Sequence, residues 1–177
     1  MQLFWRKGYF DTSIEDLVQH VGVSRYGLYN VFGSKHGLFL AALDRYRGTV
    51  ISRMLEPIEA PGASLPQIQQ YFEAAIALLQ SSQGQLGCLM CNTATELAPH
   101  DSQAADRVSA TLIRMRRAFR HALTQAQQLG EISAAIDVDA HADYFTGVVQ
   151  GLCVYARSRT PADAIERFIQ VALSTLK

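Results

Sequence analysis

The chain has 177 residues, of which 49% are hydrophobic and 18% charged, with 12 glycines and 5 prolines. This composition is typical of a folded globular protein and excludes collagen-like, low-complexity and disordered classes. Sixteen basic residues balance sixteen acidic ones, so the net charge by itself does not indicate a nucleic-acid or membrane partner. Apolar runs end before the roughly 20 residues that a membrane-spanning helix needs, and the N-terminus lacks a signal-peptide pattern. These features predict a cytoplasmic protein with no membrane partner.

Apolar residues recur at helical spacing along most of the chain. The repeat of i, i+3, i+4 and i+7 is clear in the ranges 14–21, 38–46 and 165–176, and alternating strand patterns are scarce. The sequence therefore predicts an all-α protein.

Cap-like residues mark the starts of three closely spaced helices near the N-terminus. They are Thr12 or Ser13, Ser24 and Ser34, residue types whose side chains accept the first free backbone N–H groups of a helix. We expect helices from about residue 13 to 20, from 24 to 32, and from 34 to a point before Pro57.

A proline-rich connector at residues 56–66 is the candidate boundary between a small N-terminal unit and a larger helical one. Beyond it, periodicity and cap signals predict helices near residues 65–81, 86–98, 101–129, 138–157 and 161–176.

Residues 12–32 carry the most informative pattern, because two short helices flank a tight turn. Gly22 suits the positive φ of such a turn, and we expect Val23 to face the core. In the second helix, Leu28 and Phe32 lie four residues apart and can pack inward. The arrangement predicts a helix-turn-helix, whose second helix enters the major groove of DNA.

The side chains on the outer face of this second helix suit DNA recognition. Arg25 can bind a phosphate or a guanine, Asn30 an adenine edge, and the tyrosine hydroxyls phosphates. Thr12 and Ser13 stand at another helix N-terminus, whose amides suit a phosphate. The predicted DNA contacts are Thr12, Ser13, Ser24, Arg25, Tyr26, Gly27, Tyr29, Asn30 and Lys35. In the alternative interpretation, the tyrosines are partly core and Arg25 is merely solvated.

The N-terminal region resembles the DNA-binding domain of TetR/AcrR-family transcriptional regulators. The shared pattern is Phe4-x3-Gly8-Tyr9-x2-Thr12-Ser13-Ile14-x-Asp16-Leu17-x3-Val21-Gly22-Val23-Ser24-x3-Leu28-Tyr29-x2-Phe32-x-Ser34-Lys35-x2-Leu38. The resemblance implies a homodimeric repressor that releases double-stranded operator DNA when a small-molecule effector binds. It also implies a DNA-binding domain at residues 1–48 and an effector-binding and dimerisation domain at 49–177.

Two positions depart from the family pattern. The family's first helix has about ten more residues before the position of Phe4, which leads to the hypothesis that the first helix is truncated and the native start lies upstream. Gly27 stands where many relatives carry serine or threonine, so we expect one phosphate contact fewer.

The segment 144–155 is apolar on nearly all sides, which indicates burial on more than one face. In the family the last two helices of each protomer form the dimer interface, and the helices at 138–157 and 161–176 match that role. The predicted interface residues are Phe145, Val148, Gly151, Leu152, Tyr155, Ile165, Phe168, Ile169 and Ala172. A central helix within a monomer is the alternative.

Apolar side chains of the central helices suit a pocket for a hydrophobic effector. The candidates are Tyr71, Phe72, Ile76, Cys88, Cys91, Met115 and Phe119, although ordinary core packing explains most of them equally well. Four arginines between residues 114 and 120 form a solvated helix face, a site for an acidic effector, or ion pairs between protomers.

Cys88 and Cys91 have C-x-x-C spacing, but a single such pair is weak evidence for zinc. The Gly87-Cys88-Leu89 segment resembles family members that sense electrophiles or oxidants, so the alternative function is a thiol-based sensor acting through Cys88. The five histidines are scattered, and the sequence has no phosphate-binding loop, nucleophile elbow or zinc-protease motif. We therefore expect no enzyme activity, no catalytic residues, no metal and no cofactor.

Overall fold

A computed structural model describes residues 1–81 and 84–177, and this part of the chain contains ten α-helices and no strand. The helices are α1 Gln2–Lys7, α2 Ile14–Val21, α3 Arg25–Phe32, α4 Lys35–Tyr46, α5 Ser52–Glu59, α6 Leu65–Gln80, α7 Leu89–Glu96, α8 Ser102–Gln128, α9 Val138–Arg157 and α10 Ala162–Ser174. A π-helical turn at Arg47–Ile51 separates α4 from α5, and short 3-10 turns occupy Gly84–Leu86 and Ala98–His100. The all-α prediction is confirmed.

The prediction that a helix ends before Pro57 is wrong. Helix α5 continues through Pro57 to Glu59. Proline removes a backbone hydrogen bond and disfavours a helix interior, but Pro57 lies in the last turn, where few bonds follow it. Leu55 and Ile58 on the same helix are fully buried, so packing holds this turn in place.

The chain forms two compact units. Unit 1 contains Met1–Ile51 and Cys88–Thr111, and unit 2 contains Ser52–Gly87 and Leu112–Lys177. The division between residues 48 and 49 that the resemblance implies lies close to the end of the first segment of unit 1, at Ile51. The second segment, Cys88–Thr111, packs with the first although it is distant in sequence.

Unit 1 has an aromatic core to which the short α1 contributes two rings. Phe4 packs edge-on to Phe39 and Trp5 edge-on to Tyr46, each with ring centroids 5.0 Å apart. All four side chains are at most 3% exposed. Phe4 and Trp5 of α1 therefore pack against α4.

Polar contacts join the segment 88–111 to the N-terminal helices of unit 1. In the turn between α1 and α2, the N–H of Phe10 donates to Glu96 at 2.9 Å. On α4, His36 Nε2 lies 2.6 Å from Asp101, and Asp44 accepts from Arg107 at 3.1 to 3.2 Å. A hydrogen bond from the backbone N–H of Ala104 is the main cause that lowers the pKa of Asp101, and a hydrogen bond from His36 lowers it further.

Unit 2 has a core of four aromatic rings. Tyr71 and Phe72 of α6 meet Phe119 of α8 and Phe145 of α9, with centroid distances of 5.2 to 5.9 Å. All four are at most 2% exposed.

The arginine cluster of α8 is largely engaged in ion pairs within unit 2. Arg114 binds Glu59 at 2.7 Å, Arg116 binds Asp143 at 2.6 Å, and Arg120 shares Asp139 with Arg116. These pairs favour the solvated-face interpretation over a site for an acidic effector. Among the described residues, no helix combines the length and apolar character that crossing a membrane requires.

Candidate nucleic-acid interface

Serine caps fix the starts of the three helices that carry the predicted DNA contacts. The Oγ atoms of Ser13, Ser24 and Ser34 accept from the backbone N–H three residues ahead, at 3.0 to 3.1 Å. Such caps satisfy N–H groups that have no partner within the helix. The predicted starts of α2, α3 and α4 are therefore confirmed.

The turn between α2 and α3 matches the helix-turn-helix prediction at Gly22. This residue ends α2 in the left-handed region, at φ 75°, which glycine adopts without a Cβ penalty. Val23 does not face the core as expected, because its side chain is 42% exposed. Inward packing at this point depends instead on Leu28, which is 6% exposed.

One face of α3 presents polar and aromatic side chains to solvent. Arg25 and Tyr29 are four residues apart, as are Tyr26 and Asn30, and all four are exposed. Tyr26 is 81% exposed, so it is not the partly buried core residue of the alternative interpretation. This face offers a guanidinium, two hydroxyls and an amide, which are the groups that bind phosphates and base edges.

The Arg25 guanidinium has two neighbours within unit 1. Its Nη1 lies 3.4 Å from Oε1 of Glu15 on α2, and its Cζ lies 5.6 Å from the centre of the Tyr29 ring. Sequence reasoning missed Glu15, because only the crossing of α2 and α3 brings together residues ten positions apart.

Lys35 lies at the start of α4, close to the turn between α1 and α2. Its Nζ is 4.5 Å from the centre of the Tyr9 ring and 3.5 Å from the carbonyl oxygen of Phe10. An ammonium has three donors, so this lysine retains donors for a phosphate.

At Thr12 the predicted phosphate contact rests on the backbone amides of the helix N-terminus and not on the side chain. The side chain of Thr12 is fully buried, and Oγ1 donates to the carbonyl oxygen of Gly8 at 2.6 Å. The hydroxyl therefore stabilises the turn and is not available to a phosphate.

Ser13 is exposed, but its polar groups complete a capping box with Asp16. Its Oγ accepts from the Asp16 N–H, and its own N–H donates to Oδ2 of Asp16, both at 3.0 Å. Lys7 approaches the same carboxylate to 2.9 Å. Hydrogen bonds from Lys7 and then from Ser13 lower the pKa of Asp16 to about 2.

Gly27 and Val31 stand on a neighbouring strip of α3. A Cβ at Gly27 would meet nothing closer than Ser24 Oγ at 3.5 Å, so the position has room for a side chain. Val31, which the sequence analysis did not select, is 71% exposed. An exposed apolar side chain on a recognition helix suits the methyl group of thymine. The four-residue spacing from Gly27, which places Val31 on the same strip of the helix, could have identified this residue from the sequence.

The list of predicted dimer-interface residues also needs correction. Six of the nine are at most 4% exposed within the single chain, so a partner cannot contact them in this conformation; they are Phe145, Val148, Leu152, Ile165, Ile169 and Ala172. Gly151 and Phe168 are half-buried and Tyr155 is 37% exposed.

The exposed apolar residues of α9 and α10 include three that the sequence analysis did not select. Tyr144, Val154 and Val171 are 42%, 61% and 63% exposed. The helical period showed which residues are apolar, but it did not show which apolar face packs inside the chain.

The predicted effector pocket is mostly filled by core packing. Tyr71, Phe72, Met115 and Phe119 are at most 4% exposed, which supports the core interpretation for these four. Ile76 is half-buried and, with Phe72, lines a groove of about 470 Å³ on α6 and α10 whose other apolar residues are Ile169 and Leu173.

Cys88 and Cys91 belong to unit 1, whereas the other predicted pocket residues belong to unit 2. Cys88 precedes α7 as its N-cap residue without a capping bond from its side chain, and Cys91 lies within the first turn. Both are half-buried and neither forms a disulfide.

A glycine turn, two short capped helices and an exposed Arg, Tyr and Asn face define a helix-turn-helix DNA-binding protein. Comparisons with known proteins find matches in both the N-terminal and the C-terminal part of the chain. Residues 1–42 match the family described as bacterial regulatory proteins, tetR family, and residues 64–172 match the tetracyclin repressor-like C-terminal domain. The chain belongs to the TetR family of transcriptional regulators.

Relatives and solved structures agree with this assignment. The chain is 32% identical to the HTH-type transcriptional repressor ComR of Escherichia coli, over 100% of this chain and 83% of the repressor. It is 30% identical to the uncharacterized HTH-type regulator YezE of Bacillus subtilis, over 99% and 91%. The TetR-family regulator CifR, as a cysteine mutant complexed with 26-base-pair operator DNA, has a TM-score of 0.86 at 26% identity, covering 99% of this chain and 92% of CifR. These relatives are transcriptional regulators, not enzymes.

Proposed function

We propose that the protein is a homodimeric repressor in the cytoplasm that binds operator DNA through α3 and releases it when a small-molecule effector binds. The observation that carries the proposal is the exposed face of α3, formed by Arg25, Tyr26, Tyr29 and Asn30. These side chains supply donors and acceptors for phosphates and base edges, and Lys35 at the start of α4 supplies a further cation.

The exposed apolar residues of α9 and α10 support the dimer. Val154 and Val171 are more than 60% exposed, and Tyr144 and Tyr155 are 42% and 37% exposed. Exposed apolar residues that join into one patch are typical of a protein interaction surface. Two-fold symmetry would place two copies of α3 about one DNA turn (roughly 34 Å) apart, so that they read two half-sites of a palindromic operator.

The groove on α6 and α10 supports a site for the effector. Its accessible apolar lining comes from Ile76 and Leu173, which lie over the buried Phe72 and Ile169, and its polar lining includes Gln69 and Glu73. A concave apolar surface with a few polar groups is the usual character of a small-molecule site.

Selection from a random pool of duplexes tests the proposal. The full chain should enrich a palindromic sequence, and its affinity for that operator should fall steeply between about 50 and about 200 mM salt. Arg25→Ala should weaken operator binding by roughly 5- to 150-fold, the cost of losing one base contact.

Arg53→Ala is the matched control, because Arg53 is an exposed arginine of α5, outside the helix-turn-helix. It should bind the operator like the wild type. If no sequence is enriched, the proposed function is wrong. If Arg25→Ala binds as tightly as Arg53→Ala, the assignment of the α3 contact is wrong.

A further inference from the structure

Glu15 places a carboxylate on a surface that otherwise suits an anionic partner. Its Oε1 lies 3.4 Å from Nη1 of Arg25, and the two side chains are 74% and 63% exposed. The adjacent acid, Asp16, is already engaged by Ser13 and Lys7. Glu15 is therefore the acid of α2 that meets the candidate base-reading arginine.

Arg25 is restrained on two sides without losing its capacity to bind a base. Glu15 approaches one terminal nitrogen, and the ring of Tyr29 lies 5.6 Å from the guanidinium carbon. A guanidinium has five N–H donors in a fixed plane, so donors remain for the O6 and N7 atoms of a guanine. A side chain that is already restrained loses less conformational freedom on binding.

The net charge of residues 1–50 is small, so a single carboxylate there has a large effect on non-specific DNA binding. Residues 1–50 contain six basic and four acidic residues, a net charge of +2. Non-specific DNA binding depends on cations that neutralise phosphates and release counterions. An arginine paired with a carboxylate contributes little to this neutralisation of phosphates, whereas its N–H groups can still form hydrogen bonds to a guanine edge.

We propose that Glu15 is a specificity-determining residue of the α3 interface. It positions Arg25 for a guanine in the operator, and it opposes the use of the same guanidinium to neutralise phosphates of unrelated DNA. Glu15 thereby lowers affinity for non-operator DNA more than affinity for the operator. This inference rests on the proposed function of α3 in operator binding.

Glu15→Gln tests the inference, because glutamine retains the size and helix preference of glutamate and removes the charge. The full chain is measured against the selected operator and against a scrambled duplex of the same length, over a range of salt concentrations. We expect operator affinity to change less than about 2-fold and affinity for the scrambled duplex to rise roughly 5-fold at low salt. The salt dependence for the scrambled duplex should steepen by about 0.9, the value for one additional phosphate contact.

Two further variants make the test specific to the pair. Glu56→Gln removes an equal charge from an exposed position on α5 and should leave the ratio of the two affinities unchanged. In an Arg25→Ala background, Glu15→Gln should no longer change the salt dependence, because its effect acts through Arg25. A merely structural role of Glu15 would not produce this coupling.

The possible results separate this inference from the proposed function. If the wild type prefers its operator and Glu15→Gln changes both affinities by the same factor, the inference is overturned and the proposed function stands. The inference is also overturned if the shift persists without Arg25. If the wild type binds operator and scrambled duplex equally, both proposals fail.

Discussion

The helices of the DNA-binding region and the core of unit 2 are stabilised by different kinds of contact. Helices α2, α3 and α4 begin at serine caps, each formed within three residues of sequence. Unit 2 depends on four aromatic rings drawn from α6, α8 and α9. Contacts of the first kind can be recognised from short motifs, whereas contacts of the second kind form only when distant segments meet.

The largest expected effect of a substitution concerns the ring cluster of unit 2. Phe119 is fully buried and contacts Tyr71, Phe72 and Phe145. Phe119→Ala should lower the free energy of unfolding by about 3–5 kcal/mol, because it removes buried surface and leaves a cavity. Urea unfolding monitored by circular dichroism measures the change.

Phe10→Ala is the control for this measurement, since Phe10 is 60% exposed. Its effect should stay within about 0.5 kcal/mol. A loss of less than about 1 kcal/mol for Phe119→Ala would show that the rings border an open space. The description of unit 2 as depending on a close-packed ring cluster would then be wrong.

The next effect concerns the fit between α3 and α4 in unit 1. A Cβ at Gly37 would overlap the carbonyl oxygen of Phe32, the last residue of α3. The backbone must shift to relieve this overlap, at a cost of about 1–3 kcal/mol. Gly37→Ala should therefore reduce both the free energy of unfolding and operator affinity. Unchanged operator affinity in the folded variant would show that the α3–α4 junction does not position the recognition helix.

Gly27→Ala should have the opposite effect and raise the stability of the protein. A Cβ at Gly27 makes only an ordinary contact with Ser24 Oγ, at 3.5 Å. Because alanine restricts the unfolded chain more than glycine does, we expect a gain in stability of about 0.5–1 kcal/mol. Thermal unfolding of this variant beside Gly37→Ala compares two glycines of the same unit. A loss of stability would contradict the open surroundings described for Gly27.

Helix positions could be predicted well from the sequence because caps and apolar periodicity are local. The ends of α3 and α9 agree with the prediction, and the exposed face of α3 follows from the inward position of Leu28. Pro57 was misread because its position in a last turn, held by buried neighbours, is a property of packing.

The partners of apolar and polar groups could not be predicted in the same way. Apolar periodicity selected Phe145 and Leu152 correctly as buried, yet the neighbouring residues of the same chain bury them. Thr12 has the residue type of a phosphate ligand, but its hydroxyl is used by Gly8. Local sequence shows the chemistry of a side chain, whereas the three-dimensional contacts decide which partner uses it.

The smallest expected effect is electrostatic and belongs to unit 1. Hydrogen bonds from Lys7 and Ser13 lower the pKa of Asp16 from 3.8 to about 2. The folded state thus binds this proton more weakly than the unfolded state does. The stabilisation that the ionised Asp16 gives to the folded state is fully present above about pH 4, and it is lost as the pH falls toward 2.

Asp16→Asn tests this contribution, because an asparagine oxygen can still accept from the Ser13 N–H while the charge is removed. The melting temperature of the wild type should fall more steeply between pH 4 and pH 2 than that of the variant. Lys7→Met should reproduce most of the flattening, since Lys7 makes the largest contribution to the lowered pKa. Equal slopes for the wild type and Asp16→Asn would show that the capping box stabilises α2 without help from the carboxylate charge. The start of α2 would then be stabilised by the hydrogen bonds of the cap alone.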